Sequence, residues 1–209
     1  MTAHRPLVSV IVPALDEALE LPRVLDHVRS LPGEWETLVA EGVGRAASCN
    51  EAARGARGEL LLFLHADSRL PAGAYASLAS AAAEPGVVGG NFALRFDGDD
   101  RFSKILTAVY ALQRRVGFYY GDSSVWVRRS TFEALRGYRE LAIMDDYDFV
   151  RRMEAAGETV CLPGPATTSD RRWREMGVGR TLLAWWAIRW LYLAGVSPDR
   201  LARLYRRIR

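Results

Sequence analysis

Residues 60–64 read Leu-Leu-Leu-Phe-Leu, five apolar residues in a row that stop at His65-Ala66-Asp67. A short continuous apolar run between polar residues is the pattern of a strand buried on both faces, as in a parallel sheet covered by helices. In open α/β sheets ligands bind beyond the carboxyl ends of such strands. A carboxylate delivered there, Asp67, is suitably placed to hold a divalent cation against a phosphate. An Asp in an ordinary turn has the same local pattern.

The rest of the chain supplies the partners that such a strand needs. Residues 7–12 form a first apolar strand closed by Pro13, and Leu21, Val24, Leu25, Val28 and Leu31 recur at helical spacing before Pro32-Gly33. Residues 37–40 predict a short second strand and the Ala-rich residues 46–56 a helix. Another helix is expected from Pro71 to Pro85-Gly86, then a half-buried strand at 91–96. Phe102, Ile105, Leu106, Val109, Leu112 and Val116 mark a long amphipathic helix. Residues 125–127 read as a strand, and Ser130 with Glu133 as a capping box opening a helix that Gly137 ends. A helix from about Asp146 to Ala156 and a short strand at 159–162 follow. Alternating strands and helices predict an α/β fold with a mainly parallel central sheet flanked by helices.

A chain of 209 residues is long enough for one domain with its own core. Cys49 and Cys161 are far apart and belong to no C-x-x-C pair, so buried free thiols in a reducing compartment are expected, not zinc ligands. Residues 1–13 hold one Arg and a short apolar run, the pattern of neither a signal peptide nor a membrane anchor. Charge is uneven: residues 171–209 carry +8 and the remainder −5. Such asymmetry points to an anionic surface as partner.

Polar clusters fall at the expected strand ends: Pro13-Ala14-Leu15-Asp16-Glu17, Glu41-Gly42, His65-Ala66-Asp67, Gly121-Asp122 and Asp145-Asp146. With Gly44-Arg45-Ala46, Asn50, Val127-Arg128-Arg129, Arg171-Arg172-Trp173 and Val196-Ser197-Pro198, their joint order resembles a family 2 glycosyltransferase of the GT-A fold. The resemblance runs over nearly the whole chain and is nearest to a bacterial arsenosugar-biosynthesis-type subgroup. It implies metal-assisted transfer of a sugar from a UDP- or GDP-sugar to a hydroxyl acceptor, inverting by direct displacement.

The same resemblance implies roles for single residues. Asp67 matches the last Asp of the family's D-x-D and would hold Mn²⁺ or Mg²⁺; His65 stands in place of the first. A hard cation needs only oxygen ligands, so one carboxylate plus a diphosphate can suffice. His65 suits a ribose or phosphate contact and equally a hydrogen-bonded structural imidazole. Pro13, Glu17, Glu41 and Arg45 match nucleotide-sugar-binding positions. For Asn50, a donor-facing and a structural role are equally open. Asp145-Asp146 matches the family's Glu-Asp pair, with Asp146 the general base for the acceptor hydroxyl. Gly121, Asp122, Arg172 and Trp173 match acceptor or diphosphate contacts, although Ser169 replaces the Gln that begins the Q-x-x-R-W motif of processive relatives. Relatives also carry an Asp-Gly-Gly-Ser-x-Asp-Gly segment, a helix and an edge strand where this chain runs from Glu41 directly to Arg45. That shortening keeps a second function open: a degenerate member that binds a nucleotide or partner without turnover.

The expected division is a catalytic domain over residues 1–170 and a basic, Trp-rich helical tail over 171–209, packed on the domain or on a membrane surface. Four of the six tryptophans lie between Trp173 and Trp190, and residues 181–196 are apolar except for Arg189. That stretch is too short and too charged to span a bilayer. The final helix would place Leu201, Leu204, Tyr205 and Ile208 on one face and arginines on the other, a pattern of interfacial helices. A cytoplasmic protein, peripheral at the inner membrane face and open to a lipid-linked acceptor, is the resulting expectation. Nucleic acid is the poorer partner, since no binding motif accompanies the basic tail.

Overall fold

The computed structural model describes residues 5–14, 19–115, 117, 119–171, 174 and 178–208. Six strands form one sheet: β1 (Val8–Pro13), β2 (Trp35–Ala40), β3 (Leu60–Phe63), β4 (Val87–Phe96), β5 (Trp126–Arg128) and β6 (Glu158–Thr168). Their spatial order is β2-β1-β3-β5-β4-β6. β1 pairs in parallel with β2 and β3, β4 in parallel with β6, and β5 runs antiparallel to both β3 and β4. Every strand but β5 therefore points the same way, and the sheet is mainly parallel as expected.

Alternation along the central strands builds two apolar layers. Val8, Val10 and Val12 of β1 and Leu60 and Leu62 of β3 pack on one face, against Val24 and Val28 of helix α1 (Glu20–Ser30) and Ala74 and Leu78 of α3 (Ala74–Ala83). Ile11, Leu61 and Phe63 face the other way. There they meet Cys49 and Ala53 of α2 (Arg45–Gly55), Phe132 of α5 (Arg129–Ala134), and Phe149, Val150 and Met153 of α6 (Asp145–Ala156). Both faces of this pair are covered, which explains the unbroken apolar run at 60–64; the buried Ser9 of β1 is tolerated because its hydroxyl donates to Glu36 and accepts from the Gly58 N–H. Burying one such leucine contributes about 2 kcal/mol.

Helix α4 (Arg101–Arg115) follows β4, and two helices end the chain, α7 (Val178–Leu193) and α8 (Pro198–Ile208). Leu201 and Ala202 of α8 are buried, and Leu201 packs with Met144, Tyr147 and Ile188. Leu201 and Ala202 of the last helix thus face the protein, while Leu204 is left partly exposed. Other exposed large apolar groups include Leu183, Trp186, Trp190 and Leu193 of α7 and Ile105 and Leu112 of α4. Among the described residues no helix is long and apolar enough to cross a membrane.

Several local expectations are corrected. α5 starts at Arg129, its cap is Arg128, and no side chain caps it, so Ser130 and Glu133 form no capping box. β4 and β6 are longer than predicted because they pair with each other along their lengths, a contact no local pattern reports. Cys161 is a free thiol on the surface, whereas Cys49 is buried as expected.

Candidate functional site

Because the strands are parallel, the carboxyl ends of β1, β2 and β3 share one edge of the sheet with the amino end of the opposed β5. Pro13, Glu41, His65 and Asp67 follow the first three strands there, and the 3₁₀ turn Gly121–Ser123 precedes β5. The amino terminus of α6 adds Asp145 and Asp146.

The tightest convergence is at Gly121. Its N–H donates to Asp146 Oδ2 at 2.9 Å, while Asp146 Oδ1 accepts from the Tyr147 N–H at 2.7 Å. A Cβ at position 121 would lie 2.5 Å from Arg45 Nη2, 3.1 Å from Asp146 Oδ2 and 3.3 Å from His65 Nε2. Only a residue without a side chain lets a guanidinium, a carboxylate and an imidazole approach one backbone point this closely.

Arg45, the first residue of α2, donates from Nη1 to Asp145 Oδ2 at 2.6 Å, and its guanidinium carbon lies 5.3 Å from the centre of the Tyr138 ring. Burial disfavours its charge, but Asp146 and Asp145 outweigh burial and keep it firmly protonated. Burial pushes the Asp145 carboxyl up; Arg45 pulls it down and Asp146 adds to the upward push, with the net direction upward. Arg45 Nη2 is buried with no hydrogen-bond partner among the described residues. An unpaired N–H of a charged group is costly to bury, and an anionic ligand oxygen would satisfy it.

Asp67 sits at the β3 end, with the hydroxyls of Ser68 and Thr168 each 3.4 Å from its Oδ1. These are long contacts that leave the carboxylate largely uncommitted. Reciprocal backbone bonds between Arg69 and Thr167, at 2.7 and 2.9 Å, fasten this turn to β6. Among the described residues no three His, Cys, Asp or Glu side chains cluster as a metal cage. The donor set fits only a cation that shares most of its coordination with a ligand and water.

A cavity of about 510 Å³ opens on Asp146, His65 and Asp122. Val109 and Tyr110 of α4 and Leu182, Leu183, Trp185 and Trp186 of α7 form its walls. Arg189, Gln113 and Tyr120 line it too: Arg189 is buried, donating to Gln113 at 3.1 Å with its guanidinium carbon 5.4 Å from the Tyr120 ring centre. The sequence left the tail packed on the domain or on a membrane surface and gave no sign that α7 walls a cavity. The available signal was Arg189, set among apolar residues of α7, since an Arg is buried only when partnered.

Of the expected site residues, Arg45, His65, Gly121, Asp122, Asp145 and Asp146 come together. Glu41 is exposed at the sheet edge and makes no hydrogen bond or ion pair among the described residues, and Pro13 is half-buried beside Ala40. Glu17, Arg172 and Trp173 lie outside the described residues. Asn50 has a structural duty: it accepts from the Tyr138 N–H and donates to the Tyr138 carbonyl, both at 2.8 Å. The landmarks Arg128 and Arg129 are also structural. Arg128 donates to the carbonyls of Val87 and Ala82, and Arg129 to those of Gly58 and Ala56, near the carboxyl ends of α3 and α2.

A helix-flanked sheet of this order, with carboxylates gathered where the parallel strands end, defines the GT-A class of glycosyltransferase fold. The glycosyl transferase family 2 model matches residues 39–159. That is more than half of the chain, and the protein belongs to this family. The mannosyltransferase PcManGT from Pyrobaculum calidifontis, solved with GDP-Man and Mn²⁺, superposes with a TM-score of 0.58 at 19% identity, over 79% of this chain and 57% of that one. TarS residues 1–349 from S. aureus superposes at 0.60 with 14% identity, over 85% of this chain and 64% of that one. The same TarS fragment with UDP-GlcNAc gives 0.59 at 14% identity, over 78% and 58%. The chain thus spans less than two thirds of the length of these solved structures. No curated protein matches it.

Proposed function

We propose that this protein transfers a sugar from a nucleotide-diphosphate sugar to a hydroxyl acceptor with inversion. The observation that carries the reading is the Gly121 cluster, in which Asp146 meets a backbone N–H beside Arg45 and His65 at the strand ends. The acceptor oxygen attacks the anomeric carbon, its proton passes to Asp146, and the bond to the diphosphate breaks as the nucleoside diphosphate leaves. Asp145 holds Arg45, whose unpaired Nη2 suits the charge that develops on the departing phosphate. Asp67 would hold Mn²⁺ or Mg²⁺ with the diphosphate and water, and the cation would supply further charge neutralisation. Pro13, Glu17, Glu41, Arg45 and His65 would contact the donor, and Gly121, Asp122, Arg172 and Trp173 the acceptor or the diphosphate. Mannosyltransferase PcManGT was solved with GDP-Man and Mn²⁺ and TarS with UDP-GlcNAc, which supports a donor of this class here.

Within this reading residues 1–170 are the catalytic domain and 171–209 an appended helical tail. A cytoplasmic enzyme peripheral at a membrane face is consistent with the exposed Trp186 and Trp190, whose rings stack edge-on 6.1 Å apart. A resemblance of its motifs to the arsenosugar-biosynthesis-type subgroup supports a reading near that group. A second reading, ligand binding without turnover, is favoured by the short passage from β2 to α2 over residues 41–44, which leaves β2 at the sheet edge.

Calorimetry with UDP and GDP, with and without Mn²⁺, tests the donor site. Metal-dependent binding that disappears in Asp67→Ala supports both readings. Transfer or donor hydrolysis that is lost in Asp146→Asn, with binding kept, selects the enzyme. Absence of nucleotide binding under every metal condition would sink the transferase reading.

A further inference from the structure

From the cavity beside Asp146 we infer that the acceptor is an uncharged amphiphilic alcohol, its hydroxyl at the carboxylates and its apolar body between α4 and α7. The inference rests on the transferase reading for the word acceptor, but the binding site stands on its own geometry. The cavity is lined by groups of both kinds. His65, Asp122 and Asp146 border it together with Val109, Leu182, Leu183, Trp185 and Trp186, while Tyr110 and Tyr120 add rings and Gln113 and Arg189 a hydrogen-bonded pair. Its volume of about 510 Å³ falls in the range that encloses a ligand of drug-like size. A sugar hydroxylated all round would leave most of its polar groups against these walls without partners, at a cost for each. An aliphatic or aromatic body meets no such penalty, and each methylene it buries adds favourable transfer free energy.

Charge selects among amphiphiles. Two carboxylates, Asp122 and Asp146, line the cavity. Arg189, a cation that lines it too, already donates to Gln113 and lies over Tyr120. A phosphorylated lipid would therefore bring its anion toward carboxylates. A neutral hydroxyl instead finds acceptors for its proton. The rim is also apolar, since Leu183 and Trp186 are largely exposed, so the body of a longer acceptor can continue from the cavity onto α7.

The test uses alkyl β-glucosides from methyl to decyl, each below its micelle concentration, titrated into the full chain. Binding is followed by calorimetry and by tryptophan fluorescence, because Trp185 and Trp186 line the site. Affinity should rise about two- to fourfold per added methylene until the cavity is filled, with a negative heat-capacity change. The rim variants Leu183→Glu and Trp186→Ser, at exposed positions where folding is not at stake, should flatten that dependence at least tenfold for the longer chains. Equal binding of all chain lengths overturns the inference. So does a chain-length dependence that the rim variants leave intact, or tighter binding of an alkyl phosphate than of the alkyl glucoside of equal length. Chain-length-dependent binding without sugar transfer from any donor would leave this site standing and remove the enzymatic reading; transfer to methyl and decyl glucosides at equal rate would do the reverse.

Discussion

Arg45 and Asp145, one hundred positions apart in sequence, form an ion pair at 2.6 Å with side chains only 22% and 15% exposed. The pair joins the start of α2 to the start of α6 and sets the place of the neighbouring Asp146.

Removing either partner should destabilise the fold and disturb the site together. Arg45→Ala leaves the Asp145 carboxylate without its cation in a poorly solvated place, at a cost of about 2 kcal/mol, below the 3–5 of fully buried pairs. A double-mutant cycle with Asp145→Ala, read by denaturant unfolding, should show a coupling of about 1–2 kcal/mol. Additive losses would mean that the pair does not organise this corner.

Gly121→Ala should impair turnover more than stability. The new methyl would lie 2.5 Å from Arg45 Nη2 and 3.1 Å from Asp146 Oδ2. The guanidinium end can move, so the fold should lose only about 1–2 kcal/mol. Its movement displaces the charged groups from one another, and kcat/KM should fall at least tenfold. Near-normal turnover would show that the close approach is incidental.

Asn50→Ala should behave as a stability mutation. Both Tyr138 backbone groups lose a 2.8 Å bond, and unfolding free energy should drop by about 2–3 kcal/mol. Nucleotide affinity measured on the folded fraction should stay within a factor of about three. A selective loss of nucleotide affinity would instead restore a donor-facing role.

Acid stability should report Glu36. Burial pushes this carboxyl up, but the Ser9 hydroxyl, the Arg57 N–H and the Arg57 guanidinium outweigh it and bring the pKa from 4.5 to about 2. A carboxyl whose pKa is lower when folded stabilises the fold above pH 4.5, and that contribution disappears as the pH falls toward about 2. Glu36→Gln should be less stable than the natural protein at pH 6, and the gap should narrow across this window in pH-dependent thermal melts.

Reading the chain alone reached the α/β architecture because periodicity is a local property. Residues 60–64 are apolar at every position, whereas Leu21, Val24 and Val28 repeat at helical spacing, and each pattern can bury its face in only one way. Site residues at strand ends were legible for the same reason: a carboxylate or imidazole after such a strand has to emerge at the sheet edge. Asn50 stayed open between two roles, and Arg128 was a landmark without one, because a motif records that a side chain matters and not what it bonds to.

Spacing of apolar residues along the chain was enough to locate most elements and the polar groups that arrive at the ends of the parallel strands, but not the antiparallel course of β5 in the middle of the sheet. Only the tertiary structure decided that Arg45 reaches Asp145, that Gly121 leaves room for Asp146 and His65, and that α4 and α7 enclose an apolar cavity beside them. Those relationships depend on distances between side chains far apart along the chain, which packing sets and local pattern does not encode.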